Sequence, residues 1–245
     1  MEWYDGKLTI LENVKANQTI IVEHKKATET GIWVNEPQPK TYLFKELANA
    51  LNINYTHKEN DFVDFNKEGL IYHMRSADGP RMAIADVNGD KRPDFYIGGA
   101  KGMTGELWLQ LSNGQFQKAS SKTFESHKQS EDIDCLFFDA DGDGDPDLYV
   151  TSGSSEFSNY SKELRDRLYI NQGKFSGKFK MDEMQLLPAG LYENTSCVAA
   201  ADYDDDGDQD LFVGVRSKYG QYGVPTNGYI LENDGKGTFR NVIRN

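Results

Sequence analysis

The stretch Asp139-Ala-Asp-Gly-Asp-Gly-Asp-Pro-Asp147, followed at once by Leu148-Tyr-Val150, decides the fold of this chain. It places an oxygen-bearing side chain at every second position of a short loop and ends in an apolar run. Two further stretches repeat this plan, Asp86-Val-Asn-Gly-Asp-Lys-Arg-Pro-Asp94 and Asp202-Tyr-Asp-Asp-Asp-Gly-Asp-Gln-Asp210. In chain order we call 86–94, 139–147 and 202–210 loops 1, 2 and 3. Their first aspartates are 53 and then 63 residues apart, which indicates an internal repeat.

The net charge of the protein resides in these three loops. The chain has 245 residues, of which 39 are acidic and 27 basic, and its net charge is −12. Loops 1, 2 and 3 carry −1, −5 and −6, so the rest of the chain is electrically balanced. Like charges confined to a short loop repel one another, and a bound cation relieves that repulsion. The loops are therefore candidate cation sites.

Composition excludes several classes of function. An acidic chain is a poor partner for nucleic acid or for an anionic membrane surface. The longest unbroken apolar run, 197–201, is too short to cross a bilayer, and the 13 Tyr, 13 Phe and 3 Trp exclude a disordered acidic tail. Residues 1–5 have neither a basic start nor an apolar core segment, so we expect no signal peptide in this chain.

Apolar runs around each loop predict a four-stranded repeat. One strand precedes the loop, a second follows it, a third ends at an Asn/Gly turn, and a fourth opens with a phenylalanine. The predicted strands are 82–85, 95–97, 107–111 and one from Phe116; 136–138, 148–150, 168–170 and one from Phe175 or Phe179; and 198–201, 211–213, 229–231 and one from Phe239. Short strands between Gly, Asn and Asp turns form antiparallel meanders, and four-stranded repeats of this length suit propeller blades. We predict an all-β fold with β-propeller-type blades in three clear repeats, at about 80–130, 131–195 and 196–245.

The residues before the first repeat are expected to form an irregular N-terminal β unit. Strands are predicted at 7–14, 18–23, 61–65 and 70–74, and 44–51 suits either a short helix or a strand with its turn. A polar stretch with two prolines, 28–40, is the predicted linker, and the blades occupy 41–245. Three repeats are few for a propeller, so the sequence leaves open whether the ring closes. An open sheet edge would favour self-association.

Calcium is the ion that suits the loops best. Positions 1, 3, 5 and 9 offer side-chain oxygens, and position 7 can add its backbone carbonyl. The candidate metal-binding residues are Asp86, Asn88, Asp90, Arg92 and Asp94; Asp139, Asp141, Asp143, Asp145 and Asp147; and Asp202, Asp204, Asp206, Asp208 and Asp210. Oxygen donors without His or Cys select calcium or magnesium, and calcium accepts looser geometry. We predict up to three calcium ions, with loop 1 the weakest site because it has an Asn beside Lys91 and Arg92.

Two other interpretations of the loops remain to be weighed. An EF-hand needs a Glu at position 12, where these loops have Ile97, Val150 and Val213 in apolar runs, so the EF-hand interpretation fails. The loops could also be ordinary polar turns, since Asp and Gly are common turn residues. Three loops in the same register favour the metal site over the plain turn.

Runs such as 139–150 resemble the FG-GAP/VCBS repeats of integrin-α-like β-propellers, and especially VCBS proteins that carry an ASPIC/UnbV segment. Three stretches look like consecutive repeats of that group, namely 81–100, 131–153 and 196–216, and 233–239 resembles its blade hairpin. Residues 3–19 look like the end of an ASPIC/UnbV segment, which we place at 1–27. The resemblance implies calcium in the loops, an extracellular or cell-envelope setting, and interaction rather than catalysis. Because such proteins are usually longer and secreted, we expect this chain to be a fragment.

The connections at the other end of the strands form the predicted partner surface. Loops 1 to 3 join first strands to second strands, so the next connections lie at the opposite end of each sheet. These opposite connections are 98–106, 151–167 and 214–228. Tyr and Arg in exposed loops are frequent in recognition surfaces, although solvated loops with a few packed aromatics are an equally good explanation. The candidate ligand-binding residues are Phe157, Tyr160, Arg216, Tyr219 and Tyr222.

Three functions are compatible with this pattern. The first is a calcium-binding, non-catalytic β-propeller module for extracellular or cell-surface interaction with an unknown protein or glycan. The second is a carbohydrate-active enzyme, a lyase or glycosidase, or an accessory part of one. A glycosidase needs two carboxylates that face a cleft, away from any calcium they would otherwise bind. The third is a purely structural spacer.

Overall fold

The structure, a computed structural model, describes residues 1, 3–27, 29–30, 44–120, 122–181, 192–221 and 223–243. The chain divides into two compact units, Met1–Glu46 and Leu47–Asn245. The predicted linker at 28–40 lies outside the described residues, except for 29–30. In the part of the chain that the structure describes, no helix is long and apolar enough to cross a membrane.

The first unit contains little regular structure. Strand β1 (Lys7–Leu8) pairs antiparallel with β2 (Glu29–Thr30), and a 3-10 turn spans His24–Lys26. The predicted strand at 7–14 is therefore reduced to two residues, and the one predicted at 18–23 is wrong. Ile20 and Ile21 are exposed, so among the described residues no neighbouring strand or core stabilises an extended conformation there.

The second unit contains three four-stranded antiparallel sheets. Sheet 1 consists of β3 (Met82–Ala85), β4 (Asp94–Ile97), β5 (Glu106–Gln110) and β6 (Phe116–Lys118). Sheet 2 consists of β7 (Asp132–Phe138), β8 (Asp147–Ser152), β9 (Arg167–Asn171) and β10 (Phe179–Met181). Sheet 3 consists of β11 (Asn194–Ala201), β12 (Asp210–Ser217), β13 (Tyr229–Glu232) and β14 (Arg240–Asn241). Strands adjacent in sequence are adjacent in each sheet, so the predicted meanders and four-stranded blades are confirmed, and we call the sheets blades 1, 2 and 3.

Some predicted boundaries differ from the structure. The fourth strand of blade 2 begins at Phe179, because Phe175 has a φ of 53° and belongs to the preceding turn. In blade 3 the fourth strand begins at Arg240, and Phe239 instead packs into the core. From blade 1 onward, the helical structure that the described residues contain is short: α1 (Lys122–Glu125) and a 3-10 turn at Lys162–Leu164.

The segment before blade 1 has none of its predicted strands. Residues 44–51 contain turns rather than a helix or a strand. A 3-10 turn, Asp64–Asn66, replaces the strand predicted at 61–65, and 70–74 is also irregular. The buried Asp64 carboxylate explains the turn, because its Oδ2 accepts hydrogen bonds from the backbone N–H groups of Arg75 (2.6 Å) and Ser76 (2.9 Å). These bonds fold the segment back on itself in place of a ladder.

Alternation along the second strand of each blade places side chains on both faces. In β8, Leu148 and Val150 pack with blade 1, whereas Tyr149 packs with blade 3. All three side chains are fully buried, because blade 2 is covered on both faces. Burial of such side chains contributes about 1.5–3 kcal/mol each. The apolar runs after the loops thus stack the blades and fix the loops at one end of the stack.

Candidate metal centre

The aspartate at position 9 of each loop is a buried anchor. Its Oδ2 accepts the N–H of position 2, and its Oδ1 accepts an N–H at the end of the third strand. The Oδ2 bonds come from Val87 (3.1 Å), Ala140 (2.9 Å) and Tyr203 (2.7 Å). The Oδ1 bonds come from Gln110, Asn171 and Asn233, each at 2.8 Å. Asp94, Asp147 and Asp210 are therefore oriented in the same way in all three blades.

The aspartate at position 1 curls each loop around its own carboxylate. In loop 2, Asp139 accepts the N–H groups of Gly142 (2.9 Å) and Gly144 (3.0 Å). These glycines have φ values of 76° and 88°, a region that glycine enters without a steric penalty. Asp202 accepts the N–H groups of Asp206 (3.2 Å) and Gly207 (3.1 Å) in the same manner. The loop sequence thus folds positions 1 and 9 toward each other.

Three carboxylates converge in each of loops 2 and 3. Asp139, Asp141 and Asp147 each offer an oxygen, and these oxygens lie within 4.8 Å of one another. Asp202, Asp204 and Asp210 form the equivalent triad in loop 3. We call these sets triad 2 and triad 3. Each supplies hard oxygen donors from positions 1, 3 and 9, the donor chemistry that calcium or magnesium prefers.

The aspartates at positions 5 and 7 stand beside the triads. Asp143 accepts the N–H of Asp145 at 3.0 Å, and Asp206 accepts the N–H of Asp208 at 3.1 Å. Asp145 is buried; its Oδ2 accepts the N–H of Phe175 at 2.6 Å, while its Oδ1 has no hydrogen-bond partner. The buried Oδ1 of Asp208 is likewise without one. Buried carboxylate oxygens without partners are costly, and a cation at the triad would reduce that cost.

Loop 1 is built differently. Among the residues that the structure describes, no equivalent carboxylate triad forms in it. The guanidinium of Arg92 pairs with the Asp90 carboxylate, and its Nε donates to the carbonyl of Gln110 at 2.9 Å. Asn88 accepts the N–H of Asp90 at 3.1 Å, and Lys91, with a φ of 66°, occupies the position of Gly144. Asp86 accepts the N–H groups of Asp90 and Lys91. Its carboxylate therefore lies in a loop that already contains a cationic group, the guanidinium of Arg92.

The electrostatics of loops 2 and 3 favour neutralisation. Burial, with added repulsion from Asp141 and Asp145, raises the pKa of Asp147 to about 7. Burial and repulsion between loop carboxylates also raise the pKa of Asp208 to about 6. These raised pKa values mean that full ionisation of the loop carboxylates is unfavourable when no cation balances their negative charge. A divalent ion supplies that balance, so the donor set and the charge both fit a hard cation.

An aromatic groove lies at the end of the blades opposite the metal loops. It is a cavity of about 120 Å³ between the β8–β9 and β12–β13 connections. Its lining includes three predicted ligand-binding residues, Phe157, Tyr160 and Tyr219. Tyr160 is exposed, whereas Phe157 is buried with the Lys101 ammonium 5.2 Å from its ring centroid. We call this cavity the aromatic groove.

The other two predicted ligand-binding residues are not brought to this groove. Arg216 pairs with Asp78 and does not line the cavity, and Tyr222 lies outside the described residues.

Sequence reasoning missed several polar residues of the groove. Asn194 accepts the N–H of Ser154 at 3.1 Å through Oδ1 and donates to Ser217 Oγ at 3.2 Å through Nδ2. It thereby joins the β8–β9 connection to the end of β12. Glu193 and Lys218 add one charge of each sign to the lining. Asn194 is the first residue of β11 and Glu193 precedes it. Both lie outside the connections predicted as the partner surface, so nothing local in the sequence indicated them.

The blade repeat and the acidic loops together correspond to a known family. A family model described as FG-GAP-like repeat matches residues 86–150 and 139–213. The two matches span more than half of the 245 residues. This chain belongs to the FG-GAP-like repeat family. The overlap of the matches at 139–150 places loop 2 and the start of β8 in both FG-GAP-like units. A search of curated proteins gave no match.

Proposed function

We propose that this FG-GAP-like chain is a calcium-stabilised, β-propeller-type binding module without catalytic activity. The observation that carries the proposal is that three carboxylates converge within triad 2 and three within triad 3. Each triad combines an anchored position 9 carboxylate with two further carboxylates, in loops whose side chains carry −5 and −6. Calcium is preferred to magnesium because an irregular loop provides carboxylate and carbonyl oxygens without strict octahedral geometry.

Calcium would act here as a structural ion. In loop 2, Asp139, Asp141 and Asp147 would hold it, with Asp143 and the carbonyl of Asp145 completing the shell. The same positions of loop 3 would hold the second ion. Loop 1 would hold calcium most weakly, because the guanidinium of Arg92 already neutralises Asp90. The ion would keep the loops closed at one end of the stack while the other end stays available for a ligand.

The ligand side of the proposal rests on the aromatic groove. Tyr160 offers an exposed ring, and the Tyr219 ring has the Lys67 ammonium 5.3 Å from its centroid. Asn194, Glu193 and Lys218 offer hydrogen-bonding groups around these rings. Amphipathic rings beside polar groups suit the apolar and hydroxyl faces of a glycan or a protein side chain. We propose a protein or glycan ligand and an extracellular or cell-envelope setting. We also propose that residues 3–19 are the end of an ASPIC/UnbV segment, which they resemble.

The metal side is tested by thermal unfolding in millimolar calcium and in excess chelator. At a calcium concentration of about 100 times the dissociation constant, each occupied site adds about 2.7 kcal/mol to the free energy of unfolding. Two sites should therefore raise the melting temperature by about 10 °C or more. Asp143→Ala combined with Asp206→Ala should abolish most of that difference. An unchanged melting temperature in the wild-type protein counts against the proposal.

The ligand side is tested with glycan and extracellular-protein arrays probed in calcium. Tyr160→Ala and Tyr219→Ala should weaken retention of any ligand found, since both remove ring surface from the groove. Tyr72→Ala is the matched control, because Tyr72 is as exposed as Tyr160 and does not line the groove. Absence of any retained ligand, or equal losses in the control, would contradict a binding role and favour the structural spacer.

The carbohydrate-active enzyme is the weaker alternative. A glycosidase needs a pair of carboxylates about 5–10 Å apart in one cleft. Among the described residues that line the aromatic groove, Glu193 is the single carboxylate. The binding module therefore remains the proposal, and turnover of an array ligand by the wild-type protein would reverse this preference.

A further inference from the structure

A second cavity lies at the same end of the blades as the aromatic groove. It has a volume of about 420 Å³ and is lined by the α1–β7 connection and by the β8–β9 connection with the adjoining ends of β9 and β10. The 3-10 turn Lys162–Leu164 contributes to both cavities, since Leu164 lines the aromatic groove and Lys162 and Glu163 line the second cavity. Ligand pockets typically have volumes of about 300–1,000 Å³. The second cavity falls within this range, whereas the aromatic groove, at about 120 Å³, does not.

The lining of the second cavity is cationic, although the chain as a whole has a net charge of −12. Lys162, Arg165 and Arg167 line it together with one carboxylate, that of Glu163. Neither Lys162 nor Arg165 forms an ion pair or donates a side-chain hydrogen bond to any described residue. We call this cavity the basic cavity. Two cations that no carboxylate neutralises by direct contact attract an anionic group to the space beside them.

Arg167 is the anchored cation of the basic cavity. Its side chain is buried, and its Nη2 donates to Asp132 Oδ1 at 2.6 Å and to Ser152 Oγ at 2.8 Å. These bonds fix the guanidinium and balance its charge without using all of its donors. Its buried Nε has no hydrogen-bond partner among the described residues. A buried donor without a partner is costly, and an oxygen acceptor bound in the cavity that Arg167 lines would reduce that cost.

The other side chains around the basic cavity are mostly polar and suit a sugar. Ser126 and Ser130 offer hydroxyl groups, Gln129 an amide and His127 an imidazole. Met181 is the single apolar side chain among the described residues that line the cavity. A sugar carries many hydroxyl groups that need hydrogen-bond partners, whereas a bound peptide places its side chains in pockets that are largely apolar. The lining therefore favours an acidic sugar over an acidic peptide.

We propose that the basic cavity binds the carboxylate of a uronic acid residue in an acidic glycan. The guanidinium of Arg165 would pair with the carboxylate, whose planar shape it matches, and the ammonium of Lys162 would add a second positive charge. The free Nε of Arg167 would donate to a sugar oxygen. This assignment names the class of ligand for the binding role proposed above and therefore rests on that role, but it does not depend on the identity of the metal ion.

Isothermal titration calorimetry in millimolar calcium tests the assignment. The probes are the tetrasaccharides of galacturonic acid, of mannuronic acid and of hyaluronan, each also prepared as its neutral methyl ester. The wild-type protein should bind at least one acidic tetrasaccharide, and its methyl ester about tenfold more weakly, because the ester lacks the charged hydrogen bonds.

Variants of the two exposed or half-buried cations locate the binding. Arg165→Gln and Lys162→Gln should each weaken binding of the acidic tetrasaccharide about tenfold, and Arg165→Lys should retain part of the affinity. Lys128→Gln is the matched control, because it removes the same charge at an exposed position outside the lining of the cavity, and it should bind as the wild type does. Circular dichroism melts of each variant confirm that it is folded.

Several results would overturn the assignment. These are failure of all three acidic tetrasaccharides to bind, equally tight binding of the methyl esters, or equal losses in Lys128→Gln and Arg165→Gln. Tighter binding of a tetraglutamate peptide than of any tetrasaccharide would assign the basic cavity to acidic peptides instead. If these probes fail while the arrays described above retain another ligand, the binding role stands and the uronic acid assignment alone is wrong.

Discussion

The side-chain amide of Asn233 donates a hydrogen bond to the backbone carbonyl of Ala140, 2.8 Å away, and so joins blade 3 to the metal loop of blade 2. The same bond joins Asn171 to Val87 one blade earlier. Asn233 also accepts the N–H groups of Asp234 and Gly237, which hold its own turn in place. Loops 1 and 2 are therefore each stabilised both by their own blade and by the following one. Ion binding to a loop should be coupled to the packing of the blades.

Replacing Asn233 with Ala should lower the free energy of unfolding by about 1–3 kcal/mol, the cost of leaving a buried carbonyl without a partner. Urea unfolding measures this change. Asn159→Ala is the control, because Asn159 is exposed and should give a change near zero. Equal stabilities of Asn233→Ala and wild type would show that the inter-blade bond is dispensable.

Removing one ligand from each loop should remove one calcium site at a time. Asp139→Asn and Asp202→Asn each retain the size of the side chain while deleting a triad carboxylate. Isothermal titration calorimetry should show one tight site fewer in each variant and two fewer in the double variant. Asp205→Asn removes the same charge from loop 3 at a position outside the triad and should preserve the number of sites.

Deleting the internal cation of loop 1 should strengthen calcium binding there. Arg92→Ala frees the Asp90 carboxylate that the guanidinium now pairs with, and ligand charge sets calcium affinity. We expect the weakest site in a calcium titration to tighten severalfold. Lys91→Gln removes an equal charge that makes no ion pair with Asp90 in the structure, so a similar gain in that variant would assign the effect to net charge alone.

Stability should depend on pH through Glu131. Burial, with repulsion from Glu59, Asp132 and Glu156, raises the pKa of Glu131 from 4.5 to about 8. Between these values the folded protein retains a proton that the unfolded chain releases, so the free energy of unfolding falls as pH rises from about 4.5 to 8. Glu131→Gln cannot ionise and should flatten this slope and be the more stable protein at pH 8. Urea unfolding in saturating calcium measures the free energy of unfolding at each pH, and Glu125→Gln, at an exposed position, is the control. Parallel pH curves for wild type and Glu131→Gln would show that Glu131 does not cause the pH dependence.

The blades were predictable because local signals agree there. In 139–150, turn-forming aspartates and glycines are followed by Leu148, Tyr149 and Val150, whose alternation matches a strand buried on both faces. Each signal needs only neighbouring residues. The oxygen donors of triad 2 were predictable for the same reason, because they occupy alternate positions of one short loop. The structure brings three of them together.

The segment before blade 1 was not predictable because long-range contacts determine it. Asp64 is buried and accepts a hydrogen bond from the hydroxyl of Ser155, which is far away in sequence. An apolar run around a buried carboxylate resembles a strand when only its neighbours are considered. Asp132 and Arg167, which form a buried ion pair at 2.6 Å, were missed for the same reason, since neither belongs to a recognisable motif. The pairing of Arg92 with Asp90 likewise depends on a side-chain conformation that spacing alone does not specify.

The central claim is that triads 2 and 3 hold a divalent ion each, and direct measurement of bound calcium tests it. Chelator-treated protein is dialysed against micromolar to millimolar calcium, and the bound ion is quantified by atomic emission per mole of chain. We predict at least two ions per chain in the wild-type protein, and one ion fewer in either Asp139→Asn or Asp202→Asn. Less than one calcium per chain at millimolar concentration, or a stoichiometry that neither substitution changes, would contradict the claim.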